Sequence, residues 1–245
     1  MGKVIAVCTS DRKGLQKHDV NTAHFSAAWG IDGDAHAGSW HRQVSLLSAD
    51  KIEAFNKRGA NVIPGAFGEN LVVEGFDFRA LPVGTLLRCG DVLLEMTQIG
   101  KECHSHCEIY KKMGECIMPH EGVFARVIEP GSISVGDEMS IEKREGHFPW
   151  QAAVITLSDK AAAGERKDES GPAIAKRLRE ASYEVVEEIV IPDDERVLKQ
   201  QLIRLCDQRQ LDLILTTGGT GCSARDITPE ATIAIADKNV PGIAE

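Results

Sequence analysis

No stretch of this 245-residue chain approaches the roughly 18 uninterrupted apolar residues that a membrane-spanning helix requires. The first ten residues, Met1 to Ser10, also lack the basic segment and apolar core of an export signal. A cytoplasmic protein without a membrane partner is therefore expected. Basic charge is scarce: 28 Lys and Arg face 37 Asp and Glu, leaving a formal net charge of −9 and a pI near 5.4. Nucleic-acid binding normally leaves a basic stripe or a high pI as its footprint, so nucleic acid is excluded as a partner. There is no internal repeat and no low-complexity tract. The seven cysteines are odd in number and sit in a large chain, which points to reduced thiols rather than a disulfide framework. Cys8, Cys89 and Cys206 lie in apolar runs and are expected in cores, where free cysteine behaves as a small hydrophobe.

With 42% hydrophobic residues the chain can fill two modest cores, and its texture changes once. Residues 1–143 carry short apolar runs punctuated by glycine, among them KVIAVCTS, RQVSLLSAD, ENLVVEG and GTLLRCGDVLLEMTQIG. Such runs predict a mostly β barrel or sandwich. Hairpin turns are expected at Cys89-Gly90-Asp91 and Glu129-Pro130-Gly131, and one helix from Ala49 to Arg58. Residues 144–151 are polar and contain a proline, as suits a linker. From 152 to 245 the rhythm becomes βαβαβ: AAVITLS, a helix over Pro172 to Ala181, YEVVEEIVIP, a helix with Leu198, Leu202 and Leu205 inward, and LDLILTT. This predicts an α/β domain with a largely parallel sheet and a ligand site beyond the carboxyl ends of its strands.

The last of those strands runs into Thr217, Gly218, Gly219, Thr220 and Gly221. Successive glycines let backbone N–H groups turn toward an anion at a strand-to-helix junction, although a plain tight turn explains many such runs. Thr228 is placed to cap a helix whose first turn carries Pro229 and Glu230. Asp226 precedes it, and Asp193 and Asp194 end another strand. Carboxylates beside a phosphate repel it unless a cation intervenes, so magnesium is the natural inference.

TLSDKAAAGERKDESGP, IPDDE and TTGGTGCSARDITPEAT, in that order, resemble the MogA/MoaB family of molybdopterin adenylyltransferases and their relatives. The resemblance implies catalytic roles for Asp193 and Asp226, with Ser158, Asp159 and Thr217 to Gly221 binding the cofactor. It further implies attack of the pterin's terminal phosphate on ATP in the presence of magnesium. Family members continue beyond the P-G-x-x-E segment at the end of this chain, so the resemblance also implies an incomplete domain and leaves adenylyl transfer an open question.

In the first domain G-D-x-H-x-G, R-Q-V-S-L, G-E-N-L and V-G-D occur in order and resemble the MOSC domain, named for the C-terminal part of molybdenum cofactor sulfurases. That resemblance implies a β barrel that binds molybdenum cofactor or carries sulfur through a cysteine. Many members have Gln-Pro-Arg-x-Pro-Cys. Counting five on from Gln98 reaches Cys103, with Lys101 near the basic position and the proline-arginine context absent. A thiolate suits molybdenum or persulfide chemistry because soft sulfur binds soft metal well. His36, Arg42, Asn70 and Lys101 become candidate cofactor contacts, the two cations for the pterin phosphate. The dense set Cys103, His104, His106, Cys107 and Cys116, with His120 nearby, also has permissible ligand spacing for zinc, and structural thiols are a third reading.

Three functions stay open at this level. One is a cofactor-maturation protein whose ligands are molybdopterin or molybdenum cofactor and ATP with magnesium. Another is a molybdenum-cofactor carrier or storage protein, and the last a zinc-binding scaffold. Molybdoenzymes or other biosynthetic proteins are the expected partners, and trimer formation in the adenylyltransferase family extends the expectation to a homo-oligomer.

Overall fold

The first strand, β1 (Gly2–Thr9), shows how the N-terminal unit is built. Val4 and Val7 belong to one buried cluster, whereas Ala6 and Cys8 belong to another. A register shift against the neighbouring strand falls between Val4 and Ala6. The bulge thus lets a single strand serve two cores. The computed structural model describes residues 1–103, 107–143 and 149–243. Two compact units emerge, Met1–Glu145 and Gly146–Glu245.

The N-terminal unit continues through β2 (His18–Asp19), β3 (Thr22–Ser26), β4 (Gly30–Ile31), β5 (Val44–Ser48), α1 (Ala49–Lys57), β6 (Leu71–Glu74), β7 (Leu86–Cys89) and β8 (Val92–Ile99). After these come α2 (Glu108–Met113), α3 (Met118–Glu121), β9 (Val123–Glu129), β10 (Gly131–Ser134) and β11 (Glu138–Glu142). Seven strands run in the order β11-β7-β8-β9-β5-β6-β1, and β1 pairs back onto β11 through Gly2 with Met139 and Lys3 with Glu138. The sheet is therefore a closed barrel, which removes its open edges. Its neighbours are antiparallel except β5 and β6, whose parallel pairing requires the crossover that α1 supplies. Val4, Leu46, Leu71, Leu87, Leu94, Met96 and Met139 fill the interior, all fully buried.

The hairpin expected at Cys89-Gly90-Asp91 forms: Cys89 pairs with Val92, and Gly90 has φ +56 at the first central position. That is where a two-residue loop favours glycine. The hairpin expected at Glu129-Pro130-Gly131 does not form. Pro130 lacks a donor and breaks the ladder, so β10 leaves β9 and pairs with β3 in a separate sheet, β10-β3-β4.

The C-terminal unit comprises β12 (Gln151–Leu157), α4 (Asp159–Ala162), α5 (Ser170–Glu180), β13 (Glu184–Ile191), α6 (Glu195–Ile203), β14 (Leu213–Thr217) and α7 (Thr228–Ile233). Its three strands are parallel in the order β13-β12-β14, with Leu157 opposite Ile191 and Thr156 opposite Thr217. All three carboxyl ends thus share one edge. Ala153, Ile155 and Leu157 meet Leu198, Leu202 and Leu205 on one face, while Ala152 and Val154 meet Ala175 and Leu178 on the other. The inward leucine stripe is as expected. Cys206, however, is exposed rather than in the core, because it follows the buried Leu205 in the wider helical turn Arg204–Gln208 after α6 and so faces away from the core.

Leu198 is fully buried in the second unit's core. Leu198→Ala should cost about 2–5 kcal/mol. Calorimetry of the whole chain should show one of two transitions falling while the transition of the barrel stays in place.

Candidate functional site

In the barrel unit the polar motifs converge on a buried carboxylate. Asp34, from G-D-x-H-x-G, accepts from Lys17 Nζ and Asn70 Nδ2 at 2.7 Å each through Oδ2. Its Oδ1 accepts from the His36 backbone N–H at 2.7 Å and lies 3.2 Å from His36 Nδ1. Lys17 and Asp34 have side-chain exposures of only 1% and 2%. Burial alone would raise the Asp34 carboxyl, but the His36 and Lys17 hydrogen bonds outweigh it and hold the group well below the ordinary range. Burial pulls the Lys17 ammonium down, against the opposing pull of Asp34 and Glu69.

Asn70 donates to Asp34 and to the Cys8 carbonyl at 3.0 Å, and its Oδ1 accepts from the Ser45 N–H at 3.0 Å and hydroxyl at 2.9 Å. Those four bonds fill the capacity of a carboxamide. Asn70, a cofactor-contact candidate from the sequence, thus supports the loop through bonds to the protein's own groups. Glu69 is likewise spent, accepting from Gly65 N–H at 2.7 Å and Phe67 N–H at 3.0 Å. Lys17 escaped sequence reasoning because nothing in RKGLQKHD marks one lysine as buried.

Above this network the loop presents its more exposed residues. Trp40 donates from its indole N–H to the His36 carbonyl at 3.0 Å, and the Arg42 guanidinium lies 4.7 Å from the Trp40 ring centre. His41 Nε2 is 2.9 Å from Gln98 Oε1, and Gln98 donates to the Gly100 carbonyl at 2.8 Å. The histidine loop is thereby tied to the end of β8 at Gln98, five residues before Cys103. Gly100 has φ +70, and a Cβ there would lie 2.3 Å from the Pro119 carbonyl oxygen, so only glycine allows this turn.

Cys103 and Cys107 are exposed. Burial pushes the partly buried Cys116 thiol up to about 11, with Cys107 and Cys103 near enough to raise it further and Lys101 near enough to oppose them. These four residues consequently share one neighbourhood. His104 and His106 lie outside the described residues. Among the described residues no group of three or more His, Cys, Asp or Glu is placed to hold a metal ion. Cys8 and Cys89 are buried with thiols pushed up to about 12 by burial, as inert core cysteines should be.

In the second unit the glycine loop lies at the shared carboxyl edge. Gly218 has φ +89, and a Cβ there would come within 2.2 Å of the Leu157 carbonyl oxygen. Thr228 is not the cap expected from sequence. Its hydroxyl donates to the Gly218 carbonyl at 2.9 Å and its N–H to the Gly219 carbonyl at 3.0 Å, so it latches α7 to the loop. Asp193 and Asp159 exchange bonds: the Asp193 N–H donates to Asp159 Oδ1 at 3.0 Å, and the Asp159 N–H to Asp193 Oδ2 at 3.1 Å. Asp193 Oδ1 also lies 3.5 Å from the position a Cβ on Gly219 would take.

Asp226 accepts from the Ser223 N–H at 2.8 Å, and Ser223 holds its carboxyl below the ordinary range. Asp194 and Ser158 are helix caps, accepting from Val197 N–H at 2.9 Å and Ala161 N–H at 3.3 Å. Asp168 went unnoticed in the sequence. It accepts from the Thr156 hydroxyl at 2.8 Å and from the N–H groups of Ser170 and Gly171 at 3.1 and 3.2 Å, and an Asp just before Ser-Gly-Pro was a readable helix-start signal.

Asp34→Ala should leave the Lys17 ammonium buried without its partner and cost about 3–5 kcal/mol, seen as a fall in the barrel's unfolding midpoint. Because the folded-state carboxyl is depressed, its stabilisation is complete above the ordinary value near 4 and is lost as pH falls through the folded-state value. Denaturant titrations of the parent chain should show that acid-side loss, and Asp34→Ala should flatten it.

Residues 33–140 match the MOSC domain family, and residues 153–245 match a family described as "Probable molybdopterin binding domain". The Escherichia coli molybdopterin adenylyltransferase is 40% identical over 95 residues, 38% of this chain and 48% of that protein. The Bacillus cereus molybdenum cofactor biosynthesis protein B is 31% identical over 109 residues, 44% of this chain and 63% of its own length. The chain spans about half the length of the adenylyltransferases it matches. Among solved structures, the YUAD protein of Bacillus subtilis superposes with TM-score 0.51 at 20% identity, covering 59% of this chain and 98% of that one, which is a likeness of fold. No helix among the described residues is long and apolar enough to cross a membrane. Barrel closure, parallel sheet, glycine loop and the order of the matched segments agree: residues 33–140 are a MOSC domain, and residues 153–245 belong to the molybdopterin-binding domain family.

Proposed function

We propose that this protein acts in molybdenum cofactor biosynthesis, its C-terminal unit binding molybdopterin and ATP for adenylylation and its barrel binding the molybdenum cofactor or carrying its sulfur or metal on a cysteine. The observation that carries the first half is the meeting of Asp193 with Gly219 at the sheet edge where Gly218 admits no side chain. A loop held in that shape offers backbone N–H groups to a phosphate. Thr228 fixes the loop from behind through two hydrogen bonds, so little ordering is left to do when ligand arrives.

Carboxylates at the phosphate edge call for a cation. Magnesium keeps several waters and takes one or two carboxylates together with substrate phosphates, and Asp193 at Gly219 with Asp226 at Gly221 suits that demand. The ion would neutralise charge on the transferring phosphoryl group. The protein's own part is to hold the phosphates in line and keep Asp226 ionised through Ser223.

For the barrel, Cys103 is the residue of choice. It is exposed, and it shares its surroundings with Cys107, Cys116 and Lys101. His36 and Arg42 project from the loop tied to the same strand end by His41 and Gln98, and Arg42 offers a cation for the pterin phosphate. Joining both units in one chain raises the effective concentration of a labile intermediate for its next step.

Two measurements test the reading. Whole protein incubated with molybdenum cofactor and desalted should retain pterin fluorescence and molybdenum, and Cys103→Ala should lose the metal. If the parent chain retains neither, the barrel does not serve the cofactor. Separately, Asp226→Asn should weaken binding of ATP with magnesium about tenfold, near 1.4 kcal/mol. Unchanged affinity would remove Asp226 from the nucleotide site.

A further inference from the structure

Arg225 is the only Lys or Arg between Thr217 and Thr228, and nothing above gives it a task. Its guanidinium reaches from the loop after β14 to Asp159 Oδ2, beyond the end of β12. Both side chains are open to solvent, 68% and 43% exposed. Ion pairs this open add little to stability, so folding does not account for the contact. Nor does Asp159 depend on it, since its other oxygen accepts from the Asp193 N–H. The backbone beside Arg225 is well anchored. Asp226 accepts from the Ser223 N–H, its carboxylate would meet a Cβ on Gly221 at 2.8 Å, and the Arg225 N–H donates to the Ser223 hydroxyl at 3.3 Å.

An anion arriving at the glycine loop therefore meets the carboxylates of Asp159, Asp193 and Asp226 and one guanidinium already engaged. We propose that Arg225 is the phosphate-binding side chain of this unit, held on Asp159 in the ligand-free protein and transferred to a phosphate of the incoming ligand. This rests on the reading of the loop as a phosphate site. Exchange of one oxyanion for another suits a guanidinium, whose planar fork meets carboxylate and phosphate alike with paired hydrogen bonds. Asp159 then competes with the ligand for a single cation. Removing the carboxylate and removing the cation must act in opposite directions.

The test is equilibrium dialysis of the full chain against inorganic tripolyphosphate, ATP and inorganic phosphate, at low salt and with magnesium present. Arg225→Gln should weaken retention about tenfold, Arg225→Lys less because a point charge keeps the attraction but not the fork, and Asp159→Asn should strengthen it about threefold. A response confined to tripolyphosphate and ATP would assign the contact to a nucleotide. An equal response with inorganic phosphate would assign it to a phosphomonoester such as that of the pterin. Gln and Asn variants that shift together, or not at all, while the parent chain binds would overturn the role of Arg225 alone. A parent chain that holds none of the three would overturn both this role and the phosphate reading beneath it, leaving the barrel's cofactor reading to its own experiment.

Discussion

A lysine and an aspartate with almost no exposed surface organise the barrel unit. Taking two charges out of water is expensive unless each is paired and its remaining hydrogen-bonding capacity is met. Asp34 meets that demand through Lys17, Asn70 and His36, and Asn70 extends it to Ser45 on β5 and to the Cys8 carbonyl on β1. Five segments of the chain are thereby held to one arrangement. The histidine loop sits on this foundation, and through His41 and Gln98 it shares the end of β8 with the cysteine segment. The loop that carries His36 and Arg42 thus depends on a charge pair beneath it.

The second unit solves a different problem. Its three parallel strands end along one edge, so the segments that follow them crowd together there, each bringing an aspartate. Asp159 and Asp193 are accommodated by exchanging backbone bonds, Asp226 by the Ser223 amide, and Asp159 additionally by Arg225. Gly218 and Gly219 at positive φ let the chain pass close to Leu157 and Thr228. The edge is acidic, hydrogen-bonded and tightly turned, and the proposed cation between protein and phosphate rests on that form.

Local pattern made much of the fold legible. Alternating short apolar runs with glycine turns do not depend on distant contacts, so the β character of residues 1–143 and the helix after Ser48 could be read directly, as could the leucine stripe at 198, 202 and 205. Where pattern failed, tertiary competition decided. Pro130 redirected β10 to another sheet, Thr228 turned its hydroxyl to Gly218 rather than to its own helix, and Asn70 gave every bond to the interior. Each of these polar or turn residues had a plausible local task and a stronger remote one.

By itself the sequence determined the two-part division, the fold classes and, through its ordered motifs, membership of both domain families. These are carried by composition, periodicity and residue order, which are local properties. Only the tertiary structure decided that Lys17 is buried against Asp34, that Cys206 faces solvent, that Cys116 lies within reach of Cys103, Cys107 and Lys101, and that Arg225 closes on Asp159. Such contacts join residues far apart in the chain, and the desolvation and charge pairing that select among them exist only once the backbone has brought the partners together.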